Sequence, residues 1–208
     1  MRIKRCFLSL TIVLIGGMPL WFSSCKKPEG GQGEHMEQTL LNKPVEQLTP
    51  DDMKKMIAVI ETNFGTIRFK FFPDKAPNHC RNFISLARKG FYNNLIFHRV
   101  IKGFVIQGGD PNGDGTGGPG YTINAEFNDL PHLKGTVSMA RGQDPNSAGS
   151  QFFICLDRQT FLDRQYTVFG QVISGQEVVD RIGSLPTGPN DRPLQDAVMK
   201  KVYIEIAQ

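Results

Sequence analysis

The chain has 208 residues, with 24 basic and 20 acidic side chains and a formal charge of +4. Arg2, Lys4 and Arg5 supply three of those charges, so the chain from Cys25 onward carries only +1, and no basic stripe with interleaved aromatics marks a nucleic-acid surface. Cys6, Cys25, Cys80 and Cys155 are too few and too scattered for a disulfide framework.

The chain opens with a basic n-region over residues 1–5. An almost wholly apolar run, 6–22, follows, and then Ser23-Ser24-Cys25. This pattern is that of a secretory signal ending in small residues. It resembles a bacterial lipoprotein signal, cut before Cys25 and lipidated on its thiol, with Phe22 where Leu is usual. An uncleaved membrane anchor is the other reading, and the run is short for a span. Residues 1–24 are therefore read as the signal, and 25–56 as a lipidated Cys, a flexible tether and a short helix. The tether follows from the polar, glycine-containing composition of 26–47. The helix follows from Thr49-Pro50-Asp51-Asp52: an N-cap, Pro in the first turn and acids at the positive end.

Residues 57–208 make one ordinary domain. Val59, Ile67, Phe69 and Phe71 predict two strands joined near Asn63-Phe64-Gly65. Pro77 opens a helix in which Cys80, Phe83, Ile84 and Ala87 share one face, and Gly90 closes it. Short strands are predicted at 95–100, 105–107, 136–140, 151–155 and 167–173, with a second helix at 176–182. The last strand alternates Val202, Ile204 and Ile206 against Tyr203 and Glu205. Many short strands, glycine-rich turns and two substantial helices indicate an antiparallel barrel or sandwich. Cys80 and Cys155 read as small core residues that stay unbridged.

Two motifs fail on inspection. The run Asp110-Pro111-Asn112-Gly113-Asp114-Gly115 starts like a calcium loop, but its twelfth position is Tyr121 rather than Glu. Gly113, Gly115 and Gly118 fit G-x-G-x-x-G, yet Pro119 and Gly120 follow, so no helix starts there. No histidine has ligand spacing with a cysteine pair, and no G-x-S-x-G elbow is present. What stands out is Arg99, a guanidinium among Ile96, Phe97, Val100 and Ile101. An unpaired buried charge is very costly, so this Arg must pair, snorkel to water or face a cleft.

The stretch around it resembles the cyclophilin family of peptidyl-prolyl cis-trans isomerases. The resemblance is carried in order by Phe97-His98-Arg99, Gly103-Phe104, Gln107-Gly108-Gly109-Asp110, Gly115-Thr116-Gly117-Gly118 and Ser138-Met139-Ala140. It continues through Gly149-Ser150-Gln151-Phe152-Phe153-Ile154, Leu162-Asp163 and Val168-Phe169-Gly170, so it spans essentially 57–208. It implies a mainly β fold, a closed eight-stranded antiparallel barrel capped by two α-helices. It also implies prolyl isomerase activity without metal or cofactor. By the resemblance Arg99 is the catalytic residue, with His98 and Gln107 lining the site. Phe104, Val105, Phe153 and Leu162 form the proline pocket, Ala140, Arg141 and Gln151 lie beside it, and Gly115 belongs to the neighbouring subsite. Three further departures join Val105, which replaces the usual Met: Phe161 for Trp, Tyr166 for His and Arg141 for Asn. Phe161 removes an indole donor and puts cyclosporin binding, not catalysis, in doubt. The expected partners are proline-containing polypeptides and, through Cys25, a membrane. The expected place is the bacterial cell envelope, periplasmic or surface-facing, as a monomer assisting folding. A non-catalytic peptide-binding chaperone or scaffold on the same fold is the alternative.

Overall fold

The computed structural model describes residues 31–207. The signal over 1–24 and the lipidation site Cys25 lie outside them. The elements, in order, are α1 (Gly31–Asn42), α2 (Pro50–Lys54), β1 (Met56–Thr62), β2 (Gly65–Phe71), α3 (Pro77–Arg88), β3 (Leu95–Ile96), β4 (Arg99–Ile101) and β5 (Val105–Gly108). Then come β6 (Thr136–Met139), β7 (Phe152–Cys155), β8 (Val168–Ser174), α4 (Gln176–Ile182) and β9 (Val198–Ile206).

All the strand pairs are antiparallel, in the order β3-β9-β1-β2-β8-β6-β7-β5-β4. The expected closed ring of eight is therefore corrected to an open, half-barrel sheet of nine strands among the described residues. The reason lies in the segment expected as one strand at 95–100. Leu95 and Ile96 pair with Met199 and Val198 of β9, whereas Arg99 pairs with Gln107 of β5. Between them the Phe97 N–H donates to the Ala197 carbonyl at 2.9 Å. One stretch of chain thus serves both edges of the sheet, and the covalent chain, not a ladder of hydrogen bonds, crosses the seam.

The core fills the concave side. Phe83 of α3 stacks on Tyr92 at 4.8 Å and meets Phe69, Phe152 and Phe169 at 5.1, 5.4 and 5.7 Å. These five rings are fully buried. Aromatic pairs at such spacings add about 0.5–1.5 kcal/mol each beyond their buried area. The α3 spacing read from sequence is realised, since Cys80, Phe83, Ile84 and Ala87 are all buried. Its N-cap, Ala76, has no polar side chain. Glu126 substitutes from 47 residues away, accepting from the His79 N–H at 3.0 Å and His79 Nδ1 at 2.7 Å. Burial pushes the Glu126 carboxyl up, but the bonds from His79 and Asn78 outweigh it and hold it below its usual range.

The tether expectation is also corrected for the described part. Residues 31–42 form α1, and Leu40, Leu41 and Val45 pack against the core, with Leu48 only 2% exposed. Two arginines of α3 collect the carbonyls: Arg88 donates to Lys43 at 2.7 Å and Leu40 at 3.2 Å, and Arg81 to Leu48 at 3.1 Å. The apolar content is low, but it is concentrated in four residues that pack on the core. The short helix α2 forms as expected, with a capping box between Thr49 and Asp52. Lys43 bridges to Asp52 at 2.6 Å and, with the Thr49 N–H, lowers that carboxyl to about 2.

This packing predicts that Leu48→Ala costs about 2–5 kcal/mol of unfolding free energy. Leu194→Ala, at a side chain 74% exposed, serves as the control and should stay within about 0.5 kcal/mol. Equal, negligible effects in denaturant titrations would return the segment to a tether.

Candidate active site

Period-two alternation on three short strands gives the site its two faces. On β5, Ile106 joins the main core, and Val105 points into a separate apolar cluster. On β7, Phe152 and Ile154 face the core, and Phe153 and Cys155 face the same outer cluster. On β4, Val100 is buried at 1%, and its neighbour Arg99 has a side chain 39% exposed. Registers Arg99↔Gln107, Gln107↔Phe153 and Ser138↔Phe153 then set Arg99, Gln107 and Phe153 in one row across the sheet. The charge in the apolar run therefore faces a cleft and needs no burial.

That cleft is a cavity of about 250 Å³. Val105, Phe153, Leu162 and Phe104 give it an apolar floor, Ala140 and Tyr166 add walls, and Arg99, Gln107 and Arg141 stand at its rim. Cys155 completes the apolar cluster beneath the cavity, and burial pushes its thiol up to about 12. Cys80 and Cys155 are both free and buried. Behind Phe153 the His132 ring stacks at 6.0 Å. His132 Nδ1 donates to Asp163 at 3.1 Å, and Nε2 lies 3.1 Å from the Ser138 hydroxyl. Burial keeps His132 below its usual range despite Asp163. Asp163 is held well below the carboxylate range by Arg158 first, with burial opposing and the His132 bonds assisting.

A relay of amides joins this cavity to a second one of about 470 Å³. Arg99 Nη1 donates to Gln107 Oε1 at 3.3 Å, and Gln107 Nε2 donates to Gln151 Oε1 at 3.0 Å. Gln151 Nε2 then donates to the carbonyls of Gly115 and Gly117 at 2.9 and 3.0 Å. The loop that carries those carbonyls is built on Asp110, which is fully buried. Asp110 accepts from the N–H groups of Asn112 at 2.9 Å, Asp114 at 3.0 Å and Gly115. A Cβ at Gly117 would sit 2.1 Å from Asp110 Oδ1, so only glycine fits. The acid that starts the calcium-like motif spends its oxygens on shaping this loop.

Arg141 sits between the two cavities. Its Nε and Nη2 donate to the Gln165 carbonyl at 3.3 and 3.1 Å, its Nη1 to Gly142 at 2.9 Å, and its guanidinium lies 4.8 Å over Tyr166. The structure thus brings together Arg99, Phe104, Val105, Gln107, Ala140, Arg141, Phe153, Leu162 and Tyr166, with Gly115 and Gln151 next door. Two expected residues stand outside. Phe161 is 61% exposed and lies 5.5 Å from Phe104 at the rim. His98 is 6% exposed and opens instead on a third cavity of about 420 Å³, between the glycine loop and residues 189–192. Neither of its ring nitrogens has a protein partner, and burial lowers its pKa. Sequence reasoning gave no role to His132 or to Asp163 of the Leu162-Asp163 motif, and it missed Asp191 across the third cavity, whose Oδ2 lies 3.4 Å from Arg99 Nε. No local signal marked Asp191, because it is 92 residues away in the chain.

The chain is similar to known proteins over most of its length. Residues 57–204 match the family model for the cyclophilin type peptidyl-prolyl cis-trans isomerase. A peptidyl-prolyl cis-trans isomerase of Synechococcus elongatus is 57% identical over 114 residues, covering 55% of this chain and 78% of the relative. One from Arabidopsis thaliana is 46% identical over 154 residues, covering 72% of this chain and 96% of the relative. The structure resembles a Cryptosporidium parvum cyclophilin type isomerase, determined in the presence of the dipeptide Ala-Pro. The TM-score is 0.68 at 37% identity, over 73% of this chain and 99% of that one. The chain belongs to the cyclophilin family of peptidyl-prolyl cis-trans isomerases.

Proposed function

We propose that Arg99 carries the isomerisation, with the cavity floored by Val105, Phe153 and Leu162 gripping the prolyl ring. The reading rests on one observation: Arg99, Gln107 and Phe153 share a row on one face of the sheet, at the edge of a single apolar cavity. Rotation about an X-Pro bond breaks amide resonance and faces a barrier of about 18–20 kcal/mol. At the twisted geometry the prolyl nitrogen becomes pyramidal and regains its lone pair. A fixed donor aimed at that nitrogen binds the twisted state more strongly than either planar state, and this difference lowers the barrier. Arg suits the task because it stays protonated and presents a rigid fork. Phe104 and Phe153 exclude water from the ring, Gln107 holds a substrate carbonyl, and the second cavity at Gly115 receives a neighbouring residue of the peptide. The substrate is flexible or unfolded polypeptide containing proline, and the enzyme works as a monomer. No covalent step is involved.

The lipoprotein-like start and Cys25 support a place for this enzyme in the bacterial cell envelope, tethered through lipid and assisting the folding of exported chains. Residues 57–204, with the packed stretch 40–56 against them, then act as the catalytic unit, and the chain before that stretch carries the lipid anchor.

Arg99→Ala should lower kcat/KM by an amount equivalent to about 2.7–4 kcal/mol of barrier, the usual effect of a lost transition-state donor. Arg99→Lys should recover little of it, since an ammonium lacks the fork. Both should melt within about 0.5 kcal/mol of the parent, as expected for a half-exposed residue. A protease-coupled assay on an X-Pro peptide decides. Parent-like turnover by Arg99→Ala would reject the assignment and favour a peptide-binding module.

Cys25→Ser should abolish partition into the detergent phase of a cloud-point extraction and leave isomerase activity intact. In the parent, mass analysis should find an acylated Cys25 as the first residue. An unmodified mature N-terminus elsewhere would overturn the lipid anchor.

A further inference from the structure

The Arg99 fork is held from two sides. Gln107 Oε1 accepts from Nη1 at 3.3 Å, and Asp191 Oδ2 lies 3.4 Å from Nε. Among the described residues Nη2 meets no protein acceptor. We infer that Asp191 is a positioning residue for catalysis, a carboxylate that pins Nε so that the free edge of the Arg99 fork stays aimed at the prolyl nitrogen. The inference rests on the reading of Arg99 given above.

Three observations carry it. First, the turn that presents Asp191 is held on several sides. Gly188 N–H donates to the Arg192 carbonyl at 2.8 Å, and Leu194 N–H to Pro186 at 2.9 Å. Arg192 ties the turn to the glycine loop, donating from Nη1 to Gly113 at 3.3 Å, and its Nη2 reaches Asp196 at 3.3 Å. Pro189 and Pro193 stiffen either end. Second, Asn190 and Asp191 both adopt left-handed backbone, with φ of 59° and 58°. Asn and Asp adopt this conformation more readily than other residues with a Cβ, so the turn is built from residue types that suit it. Third, the pair is half exposed, with side chains 39% and 47% accessible. Exposed ion pairs contribute almost nothing to stability. A braced turn that ends in an ion pair of little energetic worth is arranged for geometry.

Asp191→Gly tests this, because glycine adopts a φ near that of Asp191 without strain while losing the carboxylate. Its kcat should fall about tenfold, less than the roughly hundredfold that a large misplacement can cost. KM and melting temperature should be unchanged. Asp191→Asn keeps an acceptor oxygen and tolerates the left-handed backbone, so it should retain most of the activity. On an Arg99→Ala background Asp191→Gly should have no further effect, since coupled residues are non-additive. Exchange of the Arg99 Nε–H with water, followed by nitrogen-15 NMR, should speed up in Asp191→Gly. Parent-like kcat in Asp191→Gly, or the same tenfold loss without Arg99, overturns the inference. If Arg99→Ala itself is fully active, the catalytic reading falls with it. The Nε–H exchange then still judges the contact: faster exchange upholds the pinning, and unchanged exchange removes it.

Discussion

A guanidinium cannot enter an apolar core unpaired, and β4 resolves this by alternation. Val100 takes the core and Arg99 takes the opposite face. Two neighbouring strands repeat the division, so one sheet closes a core on one side and floors a cavity on the other. The same five strand residues that could have been read as continuous apolar runs, Val105, Ile106, Phe152, Phe153 and Ile154, are shared between these two clusters. A one-residue slip of β5 against β7 would exchange the faces and put Gln107 into the core. The aromatic cluster around Phe83 therefore protects the site as well as the fold, because it fixes which face each strand residue takes.

The site is wider than its cavity. Asp110 organises the glycine loop from a fully buried position, and Gln151 reads that loop's carbonyls and passes the contact through Gln107 to Arg99. Charge-assisted bonds from backbone N–H groups are what make a buried Asp110 tolerable. On the opposite side, His132 and Asp163 back the Phe153 ring with a bonded imidazole in place of an aliphatic side chain. The apolar pocket is thus backed by polar groups whose bonding is complete within the protein.

Much of this was legible in the sequence, and the failures share a cause. Helix α3 follows from the spacing of Cys80, Phe83, Ile84 and Ala87, and the hairpin of β1 and β2 from the turn at Asn63-Phe64-Gly65. The cavity residues follow from ordered motifs. The break between Ile96 and Arg99 did not, because apolar strand-forming residues stand on both sides of it, and what divides them is the pairing with β9 and β5. Packing of Leu48 did not, because it depends on Arg81 and Arg88 reaching back from α3. Burial of His98 away from the cleft did not, because a histidine beside a functional Arg looks polar and exposed. The contact of Asp191 with Arg99 did not, because it forms only across the third cavity. Local pattern found the strands and their faces; partners brought together from distant parts of the chain escaped it.

The protonation chemistry of the cleft suits a reaction in which no proton is transferred. Burial lowers His98 and His132, so both are neutral above their ordinary range near 6.5. The Cys155 thiol is pushed up to about 12 and stays protonated. Asp163 stays ionised beneath the pocket, engaged by Arg158 and His132. At neutral pH these four groups hold fixed charge states. Under the proposed role of Arg99, a donor that distinguishes a pyramidal nitrogen from a planar one gains most from a constant field and a fixed position. The surrounding groups supply the first through burial. Beside this constant field, Gln107 accepts from one arm of the Arg99 fork and Asp191 lies in ion-pair contact with its Nε.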